Sequence, residues 1–220
     1  ANILNNIGSE LINQSKEIGT LLSREEGKTL PEGIGEVVRS GQQFQYYAAS
    51  ALRQFGENIA STREGVSVEL TREPIGVCGI ISPWNFPIAI AAWKSAPAMA
   101  FGNAIVLKPA SQTPASAIAL TKIISEQKDI PEGLFNLVLG SGGTIGHQIS
   151  EHKNINAISF TGSVNVGQTI YKDAAKTMKK MQLEMGSKNP LLIMDDADLE
   201  IAVTCATNGA YGGTGQKCTA

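Results

Sequence analysis

Three side chains in this sequence are of types that do chemistry and sit in settings that would equip them for it. Cys218 in "GGTGQKC" follows Gly212, Gly213 and Gly215, whose backbone freedom would present its thiol at a loop tip, where a thiolate is a nucleophile. Glu184 in "MKKMQLEMGSKNP" is a single acid among Met181, Leu183 and Met185. Burial there would raise its pKa toward that of a general base, whereas on an edge strand it would face water. Asn85 in "PWNFP" is held between Trp84 and Phe86, inside Pro83 and Pro87. It is either a fixed amide that donates to an oxyanion or part of a buried loop wedged by two aromatic rings.

Other residues suit a phosphate or a ribose. "GSGGTIG" (Gly140, Gly142, Gly143, Gly146) and "FTGSVNVG" (Gly162, Gly167) each follow an apolar run and open a helical one. Each would set backbone N–H groups and a helix N-terminus against a phosphate, or simply permit a tight turn. Lys108 in "VLKPASQTP" ends an apolar run, at the strand end where α/β folds bind ligands, or is a solvated strand terminus. Asp195, Asp196 and Asp198 precede a helical run and read as its N-cap rather than as a metal site. His147 and His152 show no acidic partner at a recognisable spacing, and Cys78 and Cys205 lie in apolar runs as core thiols. No metal ligands are assigned.

These residues need a scaffold, and its elements follow from periodicity. Apolar residues recur at helical spacing from Ile3 to about Arg24 and from Glu32 to about Ile59, with Pro31 placed to start the second run, so two helices are expected. "GVSVELTREP" alternates as a half-exposed strand does. Beyond Pro74, "IGVCGIIS", "NAIVLKP", "LFNLVLG", "INAISFTG" and "NPLLIMD" are short apolar runs separated by helical stretches. That alternation predicts an α/β fold with a parallel sheet covered by helices. The crossover helices are expected at residues 87–99, 114–126, 143–151, 164–176 and 199–208.

The bulk numbers fit. With 18 Lys+Arg against 20 Asp+Glu and a net charge of -2, there is no basic surplus for nucleic acid or an anionic membrane, and a small metabolite is the expected partner. Three cysteines without a CxxC suggest neither a disulfide framework nor zinc. The apolar stretch around residues 87–107 is interrupted by Lys94, Pro97, Gly102 and Asn103, so no membrane span is expected. Without a secretory leader pattern at its start, the chain is expected to be cytoplasmic.

In order, "PWNFP", "LKPASQTP", "FTGS", "LEMGSKNP" and "GQKC" resemble the aldehyde dehydrogenase superfamily along essentially all 220 residues. "REPIGVCGIISPWNFPIAIAAWKSAPAMAFGNAIVLKP" and "MKKMQLEMGSKNP" are most similar to bacterial enzymes that oxidise 2-oxoglutarate semialdehyde (2,5-dioxopentanoate). The resemblance implies a Rossmann-like sheet and NAD(P)-dependent oxidation of an aldehyde or semialdehyde to an acid through a thioester on Cys218. It implies Asn85 as oxyanion donor and Glu184 as the base that activates hydrolytic water, which argues against transfer to coenzyme A. It assigns Lys108 to the adenosine ribose, and Trp84, Gly142, Gly162 and Ser163 to the cofactor site. Ser111 stands where NAD-preferring members carry a glutamate, so a 2′-phosphate is tolerated and NADP joins NAD as the expected cofactor.

The resemblance also divides the chain. Residues 1–62 correspond to a helical part, 63–74 to a strand of an oligomerisation hairpin, 75–208 to the dinucleotide-binding domain and 209–220 to the start of the catalytic domain. Family members continue well past the nucleophile, so this chain is expected to be a truncated piece of a homo-oligomeric enzyme with a mobile tail from Gly209 to Ala220. The alternative is a dinucleotide-binding module without catalysis of its own.

Overall fold

Strand β3 (Val77–Ile81), β4 (Ala104–Lys108), β5 (Phe135–Leu137) and β6 (Ala157–Gly162) form where four of the apolar runs were expected. A computed structural model of the chain describes residues 1–53 and 56–219. Residues 54, 55 and 220, over which the second helical run and the tail extend, lie outside the described residues. With β7 (Lys180–Met185) these strands make a five-stranded parallel sheet of order β5-β4-β3-β6-β7. The order reverses beside β3: the chain moves outward through β4 and β5, then returns to lay β6 on the other side of β3. Such a switch point opens a crevice at the strands' carboxyl ends.

Alternation along the central strands feeds two cores. Ile80, Ile105 and Leu107 enter one with Leu11, Leu22, Phe44, Ala92 and Leu120, whereas Ile81, Ile158 and Phe160 enter the other with Ile149 and Ile170. The first core lies under helices α1 (Asn2–Asn13), α2 (Ser15–Glu26), α3 (Leu30–Ser50), α4 (Ala89–Ala100) and α5 (Pro114–Ser125); the second lies under α6 (His147–Glu151) and α7 (Val164–Ala175). Helices on both faces explain why these strands are apolar almost throughout. α3 starts with a capping box, Thr29 and Glu32 each satisfying the other's backbone N–H, with Pro31 in the first turn.

Three expectations need correction. The first run is two helices, because Gln14 leaves the helical conformation and its N–H caps the carbonyls of Glu10 and Ile12. The second run ends as a helix at Ser50, and Glu57–Ala60 instead form strand β1, paired antiparallel with β2 (Ser67–Leu70), Ile59 opposite Val68. "NPLLIMD" forms no strand: it has no ladder partner among the described residues, and Leu191, Leu192, Ile193 and Met194 are exposed. The sheet's fifth strand is β7, where Met181, Leu183 and Met185 are half-buried and Gln182 and Glu184 are exposed, the alternation of an edge. After "NPLLIMD" the last helix, α8 (Leu199–Tyr211), has no buried residue and is capped by Asp198, whose Oδ1 accepts from Glu200 N at 2.9 Å and Ile201 N at 3.1 Å. No helix among the described residues is long and apolar enough to cross a membrane.

Candidate active site

The loop after β3 carries Trp84 and Asn85, and the chain beyond α8 returns to meet it. Trp84 Nε1 donates to Gln216 Oε1 and Asn85 Nδ2 to the Gln216 carbonyl, both at 2.8 Å. Among the described residues Asn85 uses one N–H of its amide here and keeps the second for another acceptor. Two residues beyond Gln216 is Cys218, exposed, its carbonyl accepting from Asn189 Nδ2 at 2.7 Å. Within the tail expected to be mobile, residues 213–218 thus exchange hydrogen bonds with side chains of Glu32 in α3, Trp84 and Asn85 after β3, and Asn189 after β7. Thr214 within it has a φ of 57° between left-handed Gly213 and Gly215, a conformation that a β-branched residue adopts only under constraint.

Behind Asn85 lies a cluster of charges that the sequence does not reveal. Lys28 Nζ donates to Glu36 Oε2 at 2.6 Å and to the Asn85 carbonyl at 3.0 Å, and lies 4.2 Å from the Phe86 ring centroid. Glu36 Oε1 accepts from Ile88 N at 3.1 Å and Ala89 N at 3.0 Å, holding the start of α4. Burial pushes the Glu36 carboxyl up, with Lys28 acting against it. Glu32 is held below the usual carboxylate range, chiefly by the backbone N–H of Gly213, which it accepts at 2.6 Å.

Glu184 takes the second of its two expected settings: it is exposed on the edge strand β7, and no hydrogen bond or ion pair joins it to Cys218 among the described residues. Its neighbour is Lys94, which the sequence showed only as an interruption of an apolar stretch. Ser159 and Gln182 face the α4 side of the sheet, where Lys94 Nζ donates to Ser159 Oγ at 2.7 Å and to Gln182 Oε1 at 2.9 Å; Gln182 Nε2 then donates to Glu184 Oε1 at 3.2 Å. Burial brings Lys94 down to about 8, with the Glu184 charge opposing the shift.

At the strand ends, Lys108 closes β4 and is 4% exposed, so it is not a solvated terminus. Its Nζ donates to the Pro109 carbonyl at 2.8 Å, and burial lowers its pKa. Ser111 Oγ donates to the Gly140 carbonyl at 3.3 Å, linking the loops after β4 and β5. Gly142 opens a short wide helical turn that Ser141 caps, and Ser163 caps α7 by accepting from Val166 N at 3.4 Å. Gly162 thus ends β6 and Ser163 follows it, as Trp84 and Asn85 follow β3, on adjacent strands at the switch point. The first turn of α7 carries no acidic residue, which leaves its positive end open to an anion.

The remaining candidates are settled by position. Cys78 is half-buried in β3 and burial pushes its thiol up, but Cys205 is exposed on α8, because that helix packs no face inward. His147 does have acidic partners: Nε2 lies 3.2 Å from Glu151 Oε2, one helical turn on, and Nδ1 lies 3.3 Å from Asp173 Oδ2. Lys176 bonds both carboxylates, Glu151 at 2.9 Å and Asp173 at 3.0 Å, so these groups form a surface ion-pair network joining α6 to α7.

Comparison with known proteins agrees with the fold. The model of the aldehyde dehydrogenase family matches residues 1–220. The chain is 47% identical over 207 residues to alpha-ketoglutaric semialdehyde dehydrogenase of Bacillus subtilis, covering 93% of this chain and 42% of that protein. It is 41% identical over 220 residues to 2,5-dioxopentanoate dehydrogenase of Saccharolobus solfataricus, covering 99% of this chain and 46% of that protein. The crystal structure of betaine aldehyde dehydrogenase from Staphylococcus aureus in complex with NAD+ superposes with a TM-score of 0.96 at 37% identity, over 100% of this chain and 43% of that one. The chain thus spans less than half the length of these relatives, and it belongs to the aldehyde dehydrogenase family.

Proposed function

We propose that this chain carries the dinucleotide site and the nucleophile of an NAD(P)-dependent dehydrogenase that oxidises a semialdehyde, of the 2-oxoglutarate semialdehyde kind, to its acid. The observation that carries this reading is the pair of bonds from Trp84 and Asn85 to Gln216, which seat the Asn85 amide against the loop of Cys218. The thiolate of Cys218 adds to the aldehyde carbon, and the free amide N–H of Asn85 with the Cys218 backbone N–H takes the oxyanion that develops. Bound NAD(P) supplies the hydride acceptor that brings the carbon to the oxidation level of an acid. Glu184 then takes a proton from the water that releases the acid from Cys218. Its exposure on β7 leaves it open to that water.

Lys108, Ser111, Gly142, Gly162, Ser163 and Trp84 would hold the cofactor. The fit rests on the open N-terminus of α7 at the switch point and on the buried Lys108 at the end of β4. Ser111 adds no negative charge beside a 2′-phosphate, which favours use of NADP as well as NAD. The exposed β1–β2 hairpin suits self-association of the whole enzyme in the manner expected from the sequence. The test is oxidation of 2-oxoglutarate semialdehyde followed by nicotinamide reduction. Cys218→Ala is expected to abolish it while leaving cofactor binding intact, and undiminished turnover in that variant removes Cys218 from its role.

A further inference from the structure

Glu32 does two jobs with one carboxylate. Oε2 accepts from Thr29 N at 3.1 Å and Thr29 Oγ1 at 2.8 Å, which caps α3, while Oε1 accepts from Gly213 N at 2.6 Å across 181 residues of chain. Gly213 is where the backbone enters its left-handed stretch, with φ of 62°, 57° and 72° at Gly213, Thr214 and Gly215. For Thr214 that conformation is unfavourable and must be imposed by surroundings. A short charge-assisted bond at Gly213 imposes it at one end, and the bonds of Gln216 to Trp84 and Asn85 complete it at the other.

Four residues before Glu32, Lys28 holds the Asn85 carbonyl, and four residues after it, Glu36 holds the backbone at Ile88 and Ala89. One corner of the fold, Lys28 before α3 and Glu32 and Glu36 in its first two turns, therefore grips both partners of the proposed oxyanion site. We infer that Glu32 is a positioning residue: through Gly213 it sets the Cys218 loop against Asn85, whose own backbone is fixed from the same corner by Lys28 and Glu36. This deepens the reading of Cys218 as nucleophile and rests on it. It adds a residue outside the reacting groups that governs where the thiol and its backbone N–H stand.

The experiment is peptide-resolved alkylation of the 220-residue chain with iodoacetamide across a pH series, with exposed Cys205 on α8 as reference in the same molecule. Loss of one hydrogen bond to a charged group corresponds to a change of about tenfold or more at Gly213 itself, of which a part reaches the thiol five residues on. Glu32→Ala is expected to move the Cys218-to-Cys205 rate ratio by about threefold or more. Thr29→Ala weakens the same helix cap without touching Gly213, so it is expected to lower the Tm and leave the ratio where it was. Glu32→Gln keeps an acceptor but loses the charge and is expected to fall between wild type and Glu32→Ala. A ratio unchanged in Glu32→Ala overturns the inference, and so does an equal shift in Thr29→Ala, which would make Glu32 a cap and nothing more. Should Glu32→Ala not fold, a Glu32→Gln ratio identical to wild type overturns it. The nucleophile reading fails on a different result, aldehyde oxidation that survives Cys218→Ala.

Discussion

Lys94 links stability to pH in a way that the structure specifies. Its ammonium lies between α4 and the sheet, bonded to Ser159 and Gln182, and burial brings its pKa from 10.5 to about 8. Below about 8 both the folded and unfolded chains carry the proton, and the fold bears the full cost of a partly buried charge. Between about 8 and 10.5 the folded state gives up its proton first, so the unfolded state binds more protons and stability rises with pH. At about 1.4 kcal/mol per pKa unit the whole cost is on the order of 3 kcal/mol, an upper figure for a group that still touches solvent. Lys94→Met cannot titrate. Urea unfolding of wild type and variant at a series of pH values from neutral to alkaline gives the difference between them. That difference should shift by about 1–3 kcal/mol in favour of wild type as pH rises through the window. A constant offset, whatever its size, would refute the argument, because lost hydrogen bonds to Ser159 and Gln182 contribute equally at every pH.

Two further predictions concern the elements that position the site. Glu36→Ala leaves Lys28 buried without its close partner and frees the N–H groups of Ile88 and Ala89; it should cost about 3–5 kcal/mol in denaturant unfolding, and a loss below about 1 kcal/mol would contradict the role given to the pair. Asp198→Ala removes the cap of α8, a helix with no buried residue to compensate, so it should cost about 1 kcal/mol locally and speed amide exchange at Glu200 and Ile201. Unchanged exchange at those two amides would show that α8 is held by something other than its cap.

Much of the fold was legible because a sheet covered on both faces writes itself as apolar runs, and β3, β4, β5 and β6 are such runs. β7 was not, because an edge strand reads as the mild alternation of Met181, Leu183 and Met185, weaker in sequence than "NPLLIMD", which is more apolar yet finds no partner among the described residues. Of the candidate site, the residues that a motif marks were legible in position: Asn85, Lys108, Ser163 and Cys218 all fall at or just beyond strand ends or in the loop that returns to them. Its electrostatics were not. Lys28, Glu32 and Glu36 look like an ordinary helix start, and only tertiary packing shows that they hold Asn85, Gly213 and the start of α4. Glu184 shows the converse, since apolar neighbours along a strand point to the other face and bury nothing of the residue between them.

The central claim is that the crevice at the β3–β6 switch point takes a nicotinamide dinucleotide. Calorimetric titration of the 220-residue chain with NADP and then NAD tests it most directly. Saturable binding of both is expected, with Ser111→Glu weakening NADP more than NAD, since the added carboxylate would face the 2′-phosphate. Absence of saturable heat with either dinucleotide would contradict the claim that these residues form the site.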